Sequence, residues 1–233
     1  MGKDLISVFL PALDEELTIE SVIDDIPTKK LMGMGYDVEI LVVDGNSKDR
    51  TKEIARNKGA RVITQQGIGK GLGVREAFSA FKGQYLFMMD ADATYPGYHI
   101  LDIIPLLESG KYDVVLGSRM NGTILPGAMS RFNYIGNKFL TETANALFPN
   151  GHKISDVCTG MWGFRREVVK DLNLTAVYFE IEAEMFAKCI KKGYKIGEIP
   201  IEYRRRKTPS KLRSMKHGSR IFSQLITEKL FNR

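Results

Sequence analysis

Strand-length apolar stretches alternate with stretches of helical spacing through the first half of this chain, and few folds accept that order. Residues 5–10, 38–43, 61–64, 85–89 and 114–116 read as strands. Between them, residues 15–26, 49–57, 71–81 and 99–108 place apolar side chains three and four apart, as helices do. The run 38–43 is apolar with hardly a break, which suits a strand covered on both faces. Strand and helix in regular succession predict an α/β domain, a mostly parallel sheet with helices on both faces. The later part is less regular: residues 130–148 and 180–192 are expected helices and 195–202 a strand.

Ligands of such sheets bind beyond the carboxyl ends of the strands, and three of those ends are chemically loaded. They are Pro11-Ala12-Leu13-Asp14-Glu15, Asp44-Gly45-Asn46-Ser47, and Asp90-Ala91-Asp92 after the run 85–89. Carboxylates at the end of a buried strand are costly unless they hold something positive. Hard oxygen ligands suit Mg2+ or Mn2+, so Asp90 and Asp92 are candidate metal ligands. The two cysteines, Cys158 and Cys189, are far apart, and His99, His152 and His217 are scattered, which speaks against zinc. A reduced, cytoplasmic setting is expected, with neither a signal peptide nor a membrane-spanning run.

Charge is unevenly placed. Residues 204–233 hold ten Lys/Arg and one acid, Glu228, while the other 203 residues hold 24 Lys/Arg and 27 Asp/Glu. The expected division is therefore a catalytic domain over 1–203 and a basic amphipathic tail over 204–233. In the tail, Met215, Ile221, Phe222, Leu225, Ile226 and Leu230 recur at helical steps over 212–231, accompanied by Lys and Arg. That pattern suits a helix lying on an anionic membrane surface. The acidic body, with no base-stacking motif, argues against nucleic acid as the partner.

The order and spacing of these motifs resemble family 2 glycosyltransferases, closest to the polyprenyl-phosphate branch typified by dolichol-phosphate mannosyl- and glucosyltransferases. Pro11-Ala12-Leu13-Asp14-Glu15 stands where the family has Pro-x-x-Asn-Glu. The segment 42–51 stands where it has Val-Val-Asp-Asp-Gly-Ser-x-Asp-x-Thr, with Gly45 in place of the second Asp. Gly69-Lys70-Gly71, Asp90-Ala91-Asp92, Gly117-Ser118-Arg119, Asp156 ahead of Gly163-Phe164-Arg165, and Ser210-Lys211-Leu212 follow in family order.

The resemblance implies the GT-A (Rossmann-like) fold and a metal-dependent, inverting transfer of a sugar onto a polyprenyl or dolichyl phosphate. It implies a nucleotide-sugar site of Pro11, Ala12, Leu13, Glu15, Val42, Asp44, Lys70, Asp90, Ala91 and Asp92, with Mg2+ or Mn2+ on Asp90 and Asp92. Thr94 stands where mannosyltransferases of the branch carry Gln; with Gly45 this leans towards a UDP-sugar, glucose or GlcNAc, with GDP-mannose the alternative. A lipid phosphate is already nucleophilic, its second pKa being about 6, so cations matter more than a base. Arg119 and Arg131 are the first candidates to hold it, followed by Arg204, Arg206 and Lys211. Asp156, Glu180 and Glu182 are the candidate bases should the acceptor be a hydroxyl. A peripheral position on the cytosolic face of a membrane is expected. The motif after 85–89 also fits a haloacid-dehalogenase-type phosphatase, with Asp90 as nucleophile and Asp92 as acid.

Overall fold

The computed structural model describes residues 4–149, 153–211 and 214–231. Leu212 and Arg213 of the expected tail helix lie outside the described residues, as does His152. The strands are β1 (Asp4–Ala12), β2 (Tyr36–Asp44), β3 (Arg61–Thr64), β4 (Tyr85–Met88), β5 (Val114–Ile124), β6 (Trp162–Arg165) and β7 (Ile196–Tyr203). They form a single sheet in the order β3-β2-β1-β4-β6-β5-β7. All neighbours are parallel except β6, which runs antiparallel to both β4 and β5. The chain moves from β1 outward to β2 and β3, then returns to place β4 on the other flank of β1. That reversal opens a crevice beyond the ends of β1 and β4, where this class of sheet takes its ligand.

The helices are α1 (Ile19–Asp25), α2 (Thr28–Gly33), α3 (Thr51–Asn57), α4 (Lys70–Ala80), α5 (Ile100–Glu108), α6 (Arg131–Leu147), α7 (Arg166–Asp171), α8 (Ile181–Lys191) and α9 (Ser214–Leu230). Two cores lie on the two faces of the sheet. Ile19, Leu31, Ala55 and Ile103 bring α1, α2, α3 and α5 to one face. Val74, Leu140, Val168, Phe186 and Ile221 bring α4, α6, α7, α8 and α9 to the other. Successive residues of β1 alternate between them, Val8 into the first and Phe9 into the second, as the pleat requires.

The sequence signals miss some features for identifiable reasons. The expected strand 114–116 continues to Ile124, because its far end pairs again with β7 at Thr123–Glu202 and Ile124–Tyr203. The expected helix 15–26 starts at Ile19, because Glu15 to Thr18 form a turn in which the Thr18 N–H donates to the Glu15 carbonyl at 3.0 Å. The short elements α2, β6 and α7 carry no periodicity long enough to read. The tail is not detached: Ile221 and Leu225 of α9 belong to the second core, and α9 packs on α6 and α8.

Candidate active site

Each loaded strand end turns sharply into its loop through a residue with left-handed backbone that is not glycine. These are Asp14 after β1 (φ 50°), Asn46 after β2 (φ 69°) and Ala93 after β4 (φ 63°). Such conformations are strained for L-residues and persist where the surroundings over-determine them. Here the loops tie one another down. Asp14 Oδ1 accepts the Lys48 N–H at 2.8 Å, and Ser47 Oγ accepts the Asp14 N–H at 2.9 Å. Thr51 Oγ1 accepts the Glu15 N–H at 2.8 Å. Asn46 Nδ2 donates to the carbonyls of Gln65 and Gly67, both at 3.1 Å. The polar residues of 44–51 thus zip the β2 loop to the β1 loop and to the loop after β3.

Two cavities open on this rim. One, of ≈ 310 Å3, runs over Pro11, Ala12, Leu13, Glu15, Val43, Gly45, Gln65 and Ile68. The other, of ≈ 540 Å3, lies between α6 and α9 and is lined by Phe132, Phe139, Leu140, Met215, Ile221 and Phe222 among others. Lys70, Asp90, Asp92, Phe179 and Arg206 line both. A strand-end cleft and an apolar trough therefore meet at two carboxylates and two cations.

That seam is electrostatically tight. Asp92 is 3% exposed; its Oδ1 accepts from the Thr94 hydroxyl at 2.6 Å, and Arg206 Nη1 lies 2.8 Å from its Oδ2. Burial, and then the charge of Asp90, push the Asp92 carboxyl above its usual range against the pull of Arg206. Lys70 Nζ sits 2.7 Å from Asp90 Oδ1 and 2.6 Å from Glu182 Oε1. Burial disfavours its charge, yet Asp90 and Glu182 hold the ammonium above the ordinary lysine value. Burial pushes Glu182 up, and Lys70 only partly offsets it. Glu15, buried, receives Arg206 at 2.9 Å, Lys211 at 2.6 Å and the Thr208 hydroxyl at 2.7 Å. The segment after β7 thereby crosses the first cavity.

Two glycines make the seam possible. Gly69 has φ 133°, and a Cβ there would lie 2.2 Å from the Val177 carbonyl oxygen. A Cβ on Gly160 would lie 2.4 Å from Asp90 Oδ2. No sequence signal marked Gly160; Phe179, beside the Glu180–Glu182 acids, could have been suspected as an aromatic wall.

The remaining expected residues fall in distinct places. Asp44 is fully buried at the end of β2; its Oδ2 accepts the N–H groups of Asn46 and Ser47, both at 3.0 Å, while its Oδ1 has no partner. Asp44 lines neither cavity; its neighbours Val43 and Gly45 line the strand-end cleft, and Lys52 Nζ lies 3.6 Å from its Oδ2. Val42 is buried in the first core and lines neither cavity; its neighbour Val43 lines the strand-end cleft, because alternation turns it to the other face. Arg119 lines the trough, but its Nε and Nη2 each donate to Asp156 at 2.7 Å, so it is already neutralised. Arg131, at the start of α6, is exposed and lines neither cavity. Arg204 pairs with Glu202 at 2.7 Å and Asp25 at 3.6 Å, away from the seam. Of the late basic residues, Arg206 lines the seam, while Lys211 and Lys216 line the strand-end cleft beside it.

The side chains fit a hard divalent cation. Asp92, buried, and Asp90, half-buried, offer carboxylate oxygens with no Cys among them, the donor set of Mg2+ or Mn2+ rather than zinc. No cluster of three or more His, Cys, Asp or Glu suited to a metal occurs among the described residues, so the other ligands would come from a bound diphosphate and water.

Residues 7–172 match the family model described as Glycosyl transferase family 2. A Haloferax volcanii protein named glycosyltransferase AglJ is 35% identical over 225 residues, covering 95% of this chain and 71% of that one. A dolichyl-phosphate hexose transferase of the same organism is 36% identical over 225 residues, covering 96% and 93%. Among solved structures, glucosyl-3-phosphoglycerate synthase of Mycobacterium tuberculosis, in complex with Mn2+, UDP and phosphoglyceric acid, aligns with a TM-score of 0.77 at 23% identity. The alignment covers 97% of this chain and 79% of that one, and it shows a shared fold.

Proposed function

Because the chain belongs to glycosyl transferase family 2, we propose that it moves a hexose from a nucleoside-diphosphate sugar to the phosphate of a polyprenyl or dolichyl phosphate at a membrane surface. That it is a glycosyltransferase, by the family match over residues 7–172, also disposes of the phosphatase alternative. One observation carries the reading. The strand-end cleft and an apolar trough share Lys70, Asp90, Asp92 and Arg206, so a polar donor and a greasy acceptor would meet over the same charges. A small polar acceptor has no use for a trough walled by Phe132, Phe139, Met215 and Phe222.

In this reading the donor's base lies against Pro11, Ala12 and Leu13, and Asp44, between the cleft residues Val43 and Gly45, orders the β2 loop beside it through Asn46 and Ser47. Asp90 and Asp92 hold Mg2+ or Mn2+, which as a Lewis acid neutralises the diphosphate when bound. Lys70 and Arg206 stand beside those carboxylates and bring positive charge to phosphate oxygens. The acceptor phosphate attacks the anomeric carbon as the bond to the diphosphate oxygen breaks; the leaving electron pair stays on the diphosphate and the anomeric centre inverts. No general base is needed, and Glu182, committed to Lys70, is not free to be one. UDP with Mn2+ is the favoured pairing, supported by the UDP and Mn2+ of the mycobacterial synthase and by Thr94, whose hydroxyl is spent on Asp92. A bilayer partner is supported by the exposed α6–α9 face and its basic surroundings. No helix among the described residues is long and apolar enough to cross a membrane.

The test begins with a thermal-shift panel of UDP-glucose, UDP-GlcNAc and GDP-mannose, each with Mn2+ or Mg2+, since a bound donor stabilises the fold by mass action. The best donor, radiolabelled in the sugar, is then offered to dolichyl phosphate and to phosphoglyceric acid. Label extracted into solvent with the lipid supports the reading; label passing only to the soluble acceptor refutes it.

A further inference from the structure

Glu182 is the buried acid that the proposed reaction leaves idle. It stands in the first turn of α8, 6% exposed, with its Oε1 2.6 Å from Lys70 Nζ. The same ammonium lies 2.7 Å from Asp90 Oδ1. Lys70 therefore bridges two carboxylates with different surroundings: Asp90 lines both cavities, Glu182 only the apolar trough. The ammonium has little freedom to leave. The backbone on either side of it is pressed against the loop before α8, where a Cβ on Gly69 or Gly71 would lie 2.2 or 2.4 Å from the carbonyl oxygens of Val177 and Ala176. The Phe179 ring stands 6.0 Å from Nζ.

An enclosed cation between two anions rests at a compromise position, and removing one anion lets it settle fully on the other. At contact distance in a poorly solvated site even a small shift of that kind changes the pair energy by more than thermal energy.

We propose that Glu182 is a positioning residue which, by sharing Lys70 with Asp90, keeps the Asp90 carboxylate available to a divalent cation. The inference rests on the reading that Asp90 and Asp92 receive that cation. Without Glu182, Lys70 becomes a full competitor of the metal for Asp90. With Glu182 in place, Lys70 keeps an anchor when Asp90 turns to the metal, so its ammonium stays at the seam. This accounts for a buried carboxylate at the charged end of the trough, beside Phe179 and Ala183, where a charge is costly unless it has work to do.

The test is a binding titration that needs no turnover. Mn2+ is added to the full chain with UDP and, separately, with GDP, and free Mn2+ is read by electron paramagnetic resonance. Four proteins are compared: wild type, Glu182→Gln, Lys70→Gln and the double variant, each with its thermal unfolding recorded. Glu182→Gln is expected to bind Mn2+ about fivefold more weakly, as contacting charges couple. Lys70→Gln carries its own cost through the lost phosphate contact, and the double variant should match Lys70→Gln with no further loss, because Glu182 acts only through Lys70. A Glu182→Gln curve superimposed on wild type overturns the proposal. So does a fivefold loss that persists in the Lys70→Gln background, which would be a through-space charge effect. Should Lys70→Gln fail to fold with Glu182 left unpaired, the double variant decides in a Mn2+ titration without nucleotide, where no phosphate contact is lost: binding weaker than wild type overturns the proposal. Absence of Mn2+ binding by wild type itself would instead bring down the metal reading, and this inference with it.

Discussion

At the scale of the residue, Asp92 is held by two neighbours of opposite kind. The Thr94 hydroxyl fixes one carboxylate oxygen and Arg206 covers the other. The group is thus oriented before any ligand arrives, and a cation displaces one guanidinium rather than organising a loose side chain. Asp92→Asn should lower turnover by about a hundredfold or more, near 3 kcal/mol of lost charge stabilisation. Circular dichroism should show the fold retained; wild-type turnover in a folded variant would remove Asp92 from the chemistry. Arg119 behaves differently. It was readable as a phosphate-binding cation because it follows a strand, but its partner Asp156 is 37 residues away and no local pattern announces the pair. Arg119→Met leaves Asp156 buried and unpaired, and should cost about 3–5 kcal/mol of stability in a denaturant titration. Asp90 and Asp92 were legible for the opposite reason: a charge that ends an apolar run is anomalous within a few residues of sequence, whereas Lys70 was named only through the resemblance, on Gly69-Lys70-Gly71.

At the scale of the element, legibility follows sequence separation. β1, β2 and β4 read directly, since each is an apolar run with a marked end. β6 did not: it has four residues, and its antiparallel place between β4 and β5 is set by partners some fifty to eighty residues away. The α8 region shows how such an element serves the site. Glu184, fully buried, accepts the N–H groups of Thr175 at 2.9 Å and Ala176 at 2.8 Å, and pairs with Lys188 at 2.7 Å. It therefore pins the strip whose carbonyls press on Gly69 and Gly71 and seat Lys70. Burial pushes its carboxyl up, but Lys188 and the hydrogen bonds from Ala176 and Thr175 outweigh that and leave it below the ordinary glutamate value. A depressed carboxyl contributes stability above its unfolded pKa, about 4.3, and loses it as pH falls through the folded value. Glu184→Gln should thus cost about 1.5–3 kcal/mol at pH 7, and the gap to wild type should close as pH falls below about 4. Unfolding curves across that range check it; a gap independent of pH would mean that the carboxylate's charge is not what holds the strip.

At the scale of the whole molecule, one side stands apart. Phe132, Ile135 and Phe139 of α6 are 60%, 66% and 59% exposed, and Met215 and Phe222 of α9 are 78% and 40% exposed. Phe139 and Phe222 stack with ring centres 6.1 Å apart, joining the two helices into one apolar surface at the mouth of the trough. A contiguous patch of this kind marks an interaction site rather than ordinary surface, and the tail's cations suit an anionic bilayer. The sequence pattern pointed to the tail alone; the share of α6 was hidden because its apolar residues could equally have faced the core. This changes the proper test. Deleting the tail would also remove Ile221 and Leu225 from the core, each contributing about 1.5–3 kcal/mol by burial, and would confuse unfolding with detachment. Phe139→Ser with Phe222→Ser removes two partly exposed rings and leaves Ile221 and Leu225 in the core. The pair should bind vesicles containing anionic lipid about tenfold more weakly, near 1.4 kcal/mol, with little change in melting temperature. Wild-type binding should weaken as salt is raised, because exposed charges are screened. Equal co-sedimentation of variant and wild type would show that this face does not meet the bilayer. Loss of dolichyl phosphate transfer, with donor binding kept, would then place the two rings in the path of the acceptor's chain instead.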